Sequence, residues 1–505
     1  MRLSARAYAA AAIVAAAVLP LLAQLSGASV AAPAPRFTPA PCQTLVPLPT
    51  GTRCGFLTVP ENRAAHGSKT IDVAVAIVPA AGKRRSSVPL VYLGGGPGGA
   101  PIFQATALAA AHYNDGRDLV LVDQRGTYLS KPALTCPSID RFNARALGMP
   151  LDAKATRVAH VGATRECRAH LVAMGADIAA YNTAENAADF AALRRALGYG
   201  EWNVYGTSYG TSLALALLRL DPAGVRALVL DSTVPPNIVT LSGFWPNARD
   251  GLGQLFASCE AQPACRRGYP RLRERFTAAV AGAERRPVSA TVNDPVTKRA
   301  VAVVTDGGAL ANWLVSMSFH TDMYPDVPRW IAAFASGHPQ DIAAQRAAFV
   351  TPEGFVGYGL TFGVTCGEWV PFEPERRILV EARRAFPRYP ASALAEAPQF
   401  TYLSDDCRVW NVPPLPSSRV ATRSDKPVLF VSGSFDAVTP LRWAKAAAAT
   451  LPHARVIVIP GVGHDTVDGS TCAQQAMNAF LDDPLAPLDR CVTSLRPEAF
   501  ATPKP

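Results

Sequence analysis

The sequence predicts an α/β protein, a mostly parallel sheet covered by helices on both faces and interrupted by one long insertion. Three observations predict it. Short apolar runs rich in β-branched residues recur at Ile71–Val78, Leu90–Leu93, Leu119–Val122, Trp202–Tyr205, Ala227–Leu230, Val428–Val431 and Val456–Ile459. Such continuous runs suit strands buried on both faces. Between them lie Ala- and Leu-rich helical stretches such as Ala187–Leu197 and Thr211–Leu220, the alternation expected of parallel strands joined by helices. The rhythm then stops after Asp231 and resumes only at Val428. The intervening residues carry Trp, Pro and Arg and helical pieces such as Leu272–Arg285 and Leu310–Ser318.

In chain order, residues 1–31 read as a signal peptide. Arg2 and Arg6 give a positive start, Ala7 to Leu22 is apolar, and Ser29-Val30-Ala31 offers small residues for cleavage. Cleavage after Ala31 avoids placing Pro33 beside the scissile bond. An uncleaved anchor is the alternative, weakened by Pro20 and by the weak apolarity of alanine. Residues 32–41 read as a Pro-rich linker. Residues 42–234 form the first part of the core, 235–416 an inserted cap over the carboxyl edge of the sheet, where ligands bind in such folds, and 417–505 the second part.

Composition excludes several classes of protein. With 49% hydrophobic and 17% charged residues the chain is neither disordered nor low-complexity. Its net charge of +10 is scattered, the longest basic runs being Lys83-Arg84-Arg85 and Arg285-Arg286, so no stripe for nucleic acid is expected. Ten cysteines fall into five neighbouring couples, Cys42/Cys54, Cys136/Cys167, Cys259/Cys265, Cys366/Cys407 and Cys472/Cys491. None has the spacing of a zinc site. Beside an export signal they read as disulfides, with connectivity left open by the sequence, and a secreted or periplasmic location follows.

The chemistry centres on Gly206-Thr207-Ser208-Tyr209-Gly210. A strand leads in and a helix follows, so small residues flank a tight turn that lifts Ser208 off the sheet as a nucleophile. The helix N-terminus behind it favours developing negative charge. Gly94-Gly95-Gly96-Pro97-Gly98-Gly99, directly after another strand, lets backbone amides approach a substrate oxygen. The amides of Gly96 and Tyr209 are the expected oxyanion donors. Asp436 and His464 each follow a late strand, and the order Ser, Asp, His matches one known arrangement of a catalytic triad. His464 would act as base near pH 6–7, oriented by Asp436. Asp465 and Asp468 lie too near His464 in sequence to orient it and are expected to be solvated.

Gly-Gly-Pro-Gly-Gly, Asp123-Gln124-Arg125-Gly126-Thr127, Gly-x-Ser-Tyr-Gly, Asp-x-x-Thr-Pro and Gly-His together resemble the proline-iminopeptidase and tripeptidyl-aminopeptidase group of serine hydrolases. The similarity runs from about Cys42 to Cys491 and extends to the ending Phe480-Leu481-Asp482-Asp483-Pro484. It implies an α/β-hydrolase fold and release of residues from peptides with free N-termini, without metal or other cofactor. The scattered charge leaves no nucleic-acid partner expected, and no segment beyond the signal is long and apolar enough for stable membrane insertion. Proline iminopeptidases usually begin the glycine motif with His; Gly94 stands there, which favours the tripeptidyl branch. Asp123 and Arg125 are expected to brace the loop as an ion pair. An enzyme that reads a free N-terminus needs an anion facing the ammonium. Among Glu353, Glu368, Glu373 and Glu375, Glu368 is expected to supply it, since Cys366-Gly367-Glu368-Trp369 would be pinned by a disulfide and resembles an element of tripeptidyl-type enzymes. A carboxylesterase with the same triad, or a non-catalytic binding protein on this scaffold, remains the alternative.

Overall fold

The structure is a computed structural model that describes residues 35–502, apart from 43–46, 83–85, 239, 295–296, 399 and 489–490. The expected signal peptide lies outside the described residues. Nine strands form one sheet: β1 (Arg36–Ala40), β2 (Arg53–Pro60), β3 (Thr70–Val78), β4 (Leu90–Leu93), β5 (Leu119–Asp123), β6 (Trp202–Thr207), β7 (Val225–Asp231), β10 (Val428–Gly433) and β11 (Ala454–Ile459). A separate antiparallel hairpin joins β8 (Val288–Asn293) to β9 (Ala300–Thr305). The order in the large sheet is β1-β2-β3-β5-β4-β6-β7-β10-β11. From β5 to β11 every pairing is parallel, whereas β1, β2 and β3 pair antiparallel along the other edge.

Side chains along these strands alternate between two cores, as the two-residue period of a strand requires. Val91, Val204, Leu228 and Phe430 face helices that include Thr183–Ala196 and Tyr209–Leu220. Tyr92, Tyr205, Val229 and Val431 face the helices Ala105–Ala110 and Thr471–Asp482. Both faces are therefore covered, as the unbroken apolar runs require.

Two expectations about organisation change. Residues 32–41 carry the edge strand β1, paired to β2 from Arg36–Thr58 to Ala40–Cys54, where a linker was expected. Pro39 is tolerated because an edge strand leaves half its amides unpaired. The lid, moreover, draws on two stretches of chain. The insertion between β7 and β10 is joined by Cys136–Ala173, whose helices Pro137–Ala146 and Lys154–Ala173 lie between β5 and β6. His160 and Arg168 on the second of these helices bond Asp406 and the Trp410 carbonyl of the insertion. The described cysteines form the five neighbour disulfides, Cys42–Cys54, Cys136–Cys167, Cys259–Cys265, Cys366–Cys407 and Cys472–Cys491.

Candidate active site

Ser208 occupies the turn between β6 and the helix Tyr209–Leu220, with φ 55° and ψ −126°. A non-glycine residue rarely adopts this conformation, and strain of this kind concentrates at functional turns. It is held by the Ser208 amide, which donates to the Asp231 carbonyl (3.0 Å). Gly210 is required by close approach, since a Cβ there would stand 1.9 Å from the Leu93 carbonyl. The glycine turn after β4 is equally crowded: a Cβ on Gly95 would come within 2.9 Å of the Ser208 Cβ, and Gly96 has φ +113°. Gly96 lines the cavity of about 200 Å³ that Ser208 also lines, and Tyr209 begins the helix.

Asp436 and His464 follow β10 and β11 and are fully buried together. His464 Nδ1 lies 3.0 Å from Asp436 Oδ2. Asp436 Oδ1 accepts from the amides of Val438 and Thr439 (2.8 Å each), and the Thr439 hydroxyl donates to Oδ2 (2.6 Å). Burial alone would raise the Asp436 pKa, but the His464 charge and these donors hold it below the usual carboxylate range. Burial would conversely lower His464; Asp436 first and Asp465 next raise it to about 9. Among the described residues His464 Nε2 has no hydrogen-bond partner, and the residue lines the same cavity as Ser208. Ser208 and His464 thus line one cleft, and Asp436 is bonded to His464, each following the carboxyl end of its strand, β6, β11 and β10.

Insertion residues that sequence reasoning missed hold these loops. The Ser318 carbonyl accepts from the His464 amide (2.6 Å), and its hydroxyl accepts from the Ala437 amide (3.1 Å). The Phe319 ring stands edge-on to His464 at 4.7 Å and walls the cavity. The Tyr324 hydroxyl donates to the Phe435 carbonyl (3.1 Å). No local pattern marks Met317–Phe319; its role exists only once the chain is folded.

The other expectations fare differently. Asp123 and Arg125 brace loops without pairing with each other. Asp123 accepts from the Ile102 and Leu129 amides (3.0 and 3.2 Å), and burial raises its pKa to about 7. Arg125 forms a fork on Asp189 (2.7 and 2.8 Å) and also bonds the Glu61 and Ala180 carbonyls. Glu368 does not line the Ser208 cavity. It is buried at the N-terminus of helix Thr183–Ala196, where Oε1 accepts from the Thr183 amide (2.8 Å) and Oε2 from its hydroxyl (2.7 Å). The Tyr209 hydroxyl reaches the same threonine at 3.0 Å. Burial raises Glu368 to about 7 against the bonds from Thr183. A carboxylate engaged on both oxygens inside the protein is a helix cap, in place of the expected ammonium anchor. Glu373 is buried as well, accepting from the amides of Leu241 and Ser242 (3.0 and 2.8 Å) and of Thr240.

The carboxylates that do line the cleft are Asp465 and Asp468, where simple solvation was expected. Asp465 Oδ1 accepts from the Thr207 hydroxyl (2.6 Å) and lies 3.9 Å from His464 Nε2. Asp468 Oδ1 accepts from the Tyr113 hydroxyl (2.6 Å), and burial raises it to about 6. Asp231, at the end of β7, accepts from the Tyr205 hydroxyl of β6 (2.8 Å) and from the Thr466 and Val467 amides of the segment after His464 (3.0 and 2.8 Å).

Residues 88–279 match the family described as alpha/beta hydrolase fold, and residues 394–491 the family described as TAP-like protein. Serine protease Hip1 of Mycobacterium tuberculosis is 24% identical over 465 residues, 87% of this chain and 88% of the relative. A tripeptidyl aminopeptidase of Streptomyces coelicolor is 31% identical over 198 residues, covering 38% of this chain and 36% of the relative. Carboxylesterase B of Mycobacterium tuberculosis is 28% identical over 231 residues, 42% of each chain. With this fold and these matches, the chain is a serine hydrolase of the α/β-hydrolase class. Within that class, its C-terminal segment is similar to the TAP-like family.

Proposed function

We propose that the protein is an exported serine aminopeptidase that cleaves peptides near a free N-terminus through an acyl-enzyme on Ser208. His464 takes the Ser208 proton as general base and returns it to the leaving amine, while Asp436 fixes its tautomer and stabilises the imidazolium. The amides of Tyr209 and Gly96 receive the oxyanion. The observation that carries the peptidase reading is the pair of carboxylates in the Ser208 cleft, Asp465 and Asp468, which give a cationic substrate end an electrostatic partner beside the nucleophile. The relatives named serine protease and tripeptidyl aminopeptidase support it, and the five disulfides support passage through an oxidising compartment. The relative named carboxylesterase B favours a second reading, ester hydrolysis by the same residues.

Asp465→Asn separates the two. A carboxylate that only tunes His464 affects every substrate alike, whereas an ammonium anchor affects only the cationic one. At pH 7.5 the ratio of kcat/KM for a free-amine peptide amide to that for a neutral acyl ester should fall about 10–100-fold, the scale of one charged hydrogen bond. An unchanged ratio removes the anchor, and an enzyme that hydrolyses only the ester establishes the second reading.

A further inference from the structure

A cavity of about 360 Å³ bordering the lid shares no lining residue with the Ser208 cleft and is lined by Phe142, Met149, Arg346, Tyr358, Phe362 and Tyr402 among others. It lies between the two stretches of the lid, and Thr361 in its wall donates to the Pro97 carbonyl of the glycine turn (2.8 Å). A volume of this order accommodates one or two amino-acid residues. Its walls are mostly aromatic and aliphatic, yet they contain a guanidinium.

Arg346 sits in the last turn of helix Gln340–Ala348. Among the described residues its hydrogen bonds leave from Nη1, to the Val304 carbonyl (2.5 Å) and the Thr305 hydroxyl (2.9 Å) of β9. Among the described residues no carboxylate comes within ion-pair distance of it. Burial lowers its pKa to about 10, with Asp306 offsetting part of the effect. Asp306 itself is engaged by the Ala309, Leu151 and Asp152 amides. The carboxylate in the cavity wall, Asp406, is bound by His160 (2.8 and 2.9 Å) and Thr164 (2.6 Å). Arg346 is half-buried in the cavity wall, and its remaining edge, Nε and Nη2, is the fork that fits a carboxylate in two parallel bonds.

We infer that this cavity binds a small organic carboxylate with an apolar body, held by the outer edge of the Arg346 guanidinium with its body against Phe142, Tyr358 and Phe362. The site is distinct from the Ser208 cleft and does not depend on whether the enzyme cleaves peptides or esters. The ligand is either a peptide-derived acid or a carboxylate of another origin, and both present the same group to Arg346.

Isothermal titration of the folded mature protein with acetyl-phenylalanine and with 3-phenylpropionate, each against its uncharged amide, tests the inference. At least one acid should bind at millimolar concentration or below, and at least about 10-fold tighter than its amide, as expected for a charge-assisted bidentate contact. Preference for acetyl-phenylalanine identifies a peptide source; equal binding identifies a general carboxylate site. Arg346→Gln should abolish the difference between acid and amide. Should that variant not fold, Arg346→Lys, which keeps the charge and loses the fork, should weaken the acid by several-fold while leaving the amide unchanged. Equal binding of acid and amide, no binding of either acid, or wild-type affinity in a folded Arg346 variant would each overturn the inference.

Discussion

His464 is held between two carboxylates, Asp436 on Nδ1 at 3.0 Å and Asp465 at 3.9 Å from Nε2. Both raise its pKa, to about 9, above the 6–7 expected of an ordinary histidine. Protonated His464 cannot act as base, so kcat/KM for a neutral ester should keep rising with pH until near 9. A free-amine peptide should behave differently, because its own ammonium loses a proton near pH ~8. Its profile should pass through a maximum and fall at higher pH. Asp465→Asn should move the rising limb to lower pH for both substrates, since it removes one of the charges that favour the imidazolium. Stopped assays from pH 5 to 10 decide the matter, and a plateau already reached at pH 7 would contradict this electrostatic account. The juxtaposition of His464 with Asp436 and with the Ser208 cleft was legible in sequence because each of the three residues follows a strand at one end of a parallel sheet. The cleft carboxylates were not: next to His464 in sequence, Asp465 has the pattern of a solvated residue, yet the turn at φ 58° brings it back to Thr207 and the Nε2 side of the ring.

At the scale of the element, helix Thr183–Ala196 is capped at its N-terminus by Asn182, whose side chain accepts from the Glu185 amide (3.0 Å), and by Glu368. Glu368 has a folded-state pKa of about 7 against an ordinary value of 4.5. The folded protein therefore holds a proton that the unfolded chain releases, and this contribution is complete below about pH 4.5 and lost as pH rises through 7. Glu368→Gln removes that dependence. Its Tm relative to wild type should be higher at pH 8.5 than at pH 5, while the ratio of peptide to ester hydrolysis stays unchanged. A selective loss on free-amine peptides would restore Glu368 as an anchor. Strands buried on both faces were legible from their apolar runs, as β4 and β10 show. The first two strands escaped: the edge strand β1 contains Pro39 and is mostly exposed, and its neighbour β2 alternates buried and half-buried positions. The hairpin β8–β9 escaped because its burial comes mainly from one side.

Across the whole molecule, the lid and sheet are joined at the cleft. Ser318 and Tyr324 bond the loops of His464 and Asp436, and the Gly357 amide donates to the Gly98 carbonyl (3.0 Å) of the glycine turn. The lid is closed on itself by Cys366–Cys407, which spans 41 residues. Replacing both cysteines by alanine should cost about 4 kcal/mol in the chain-entropy model, measured as a loss of unfolding free energy in denaturant; no change would show that noncovalent packing alone orders the lid. The expected single insertion concealed the contribution of Cys136–Ala173, because two helices between sheet strands look in sequence like ordinary crossover helices. The central claim is that Ser208 attacks the substrate, and it is tested most directly by a fluorophosphonate, which labels only an activated serine. Mass spectrometry of the digested protein should find the adduct on Ser208, and Ser208→Ala should lose both the label and about 10⁴-fold or more of the hydrolytic rate. An adduct on another residue, or a folded Ser208→Ala protein that retains near-normal turnover, would contradict the account.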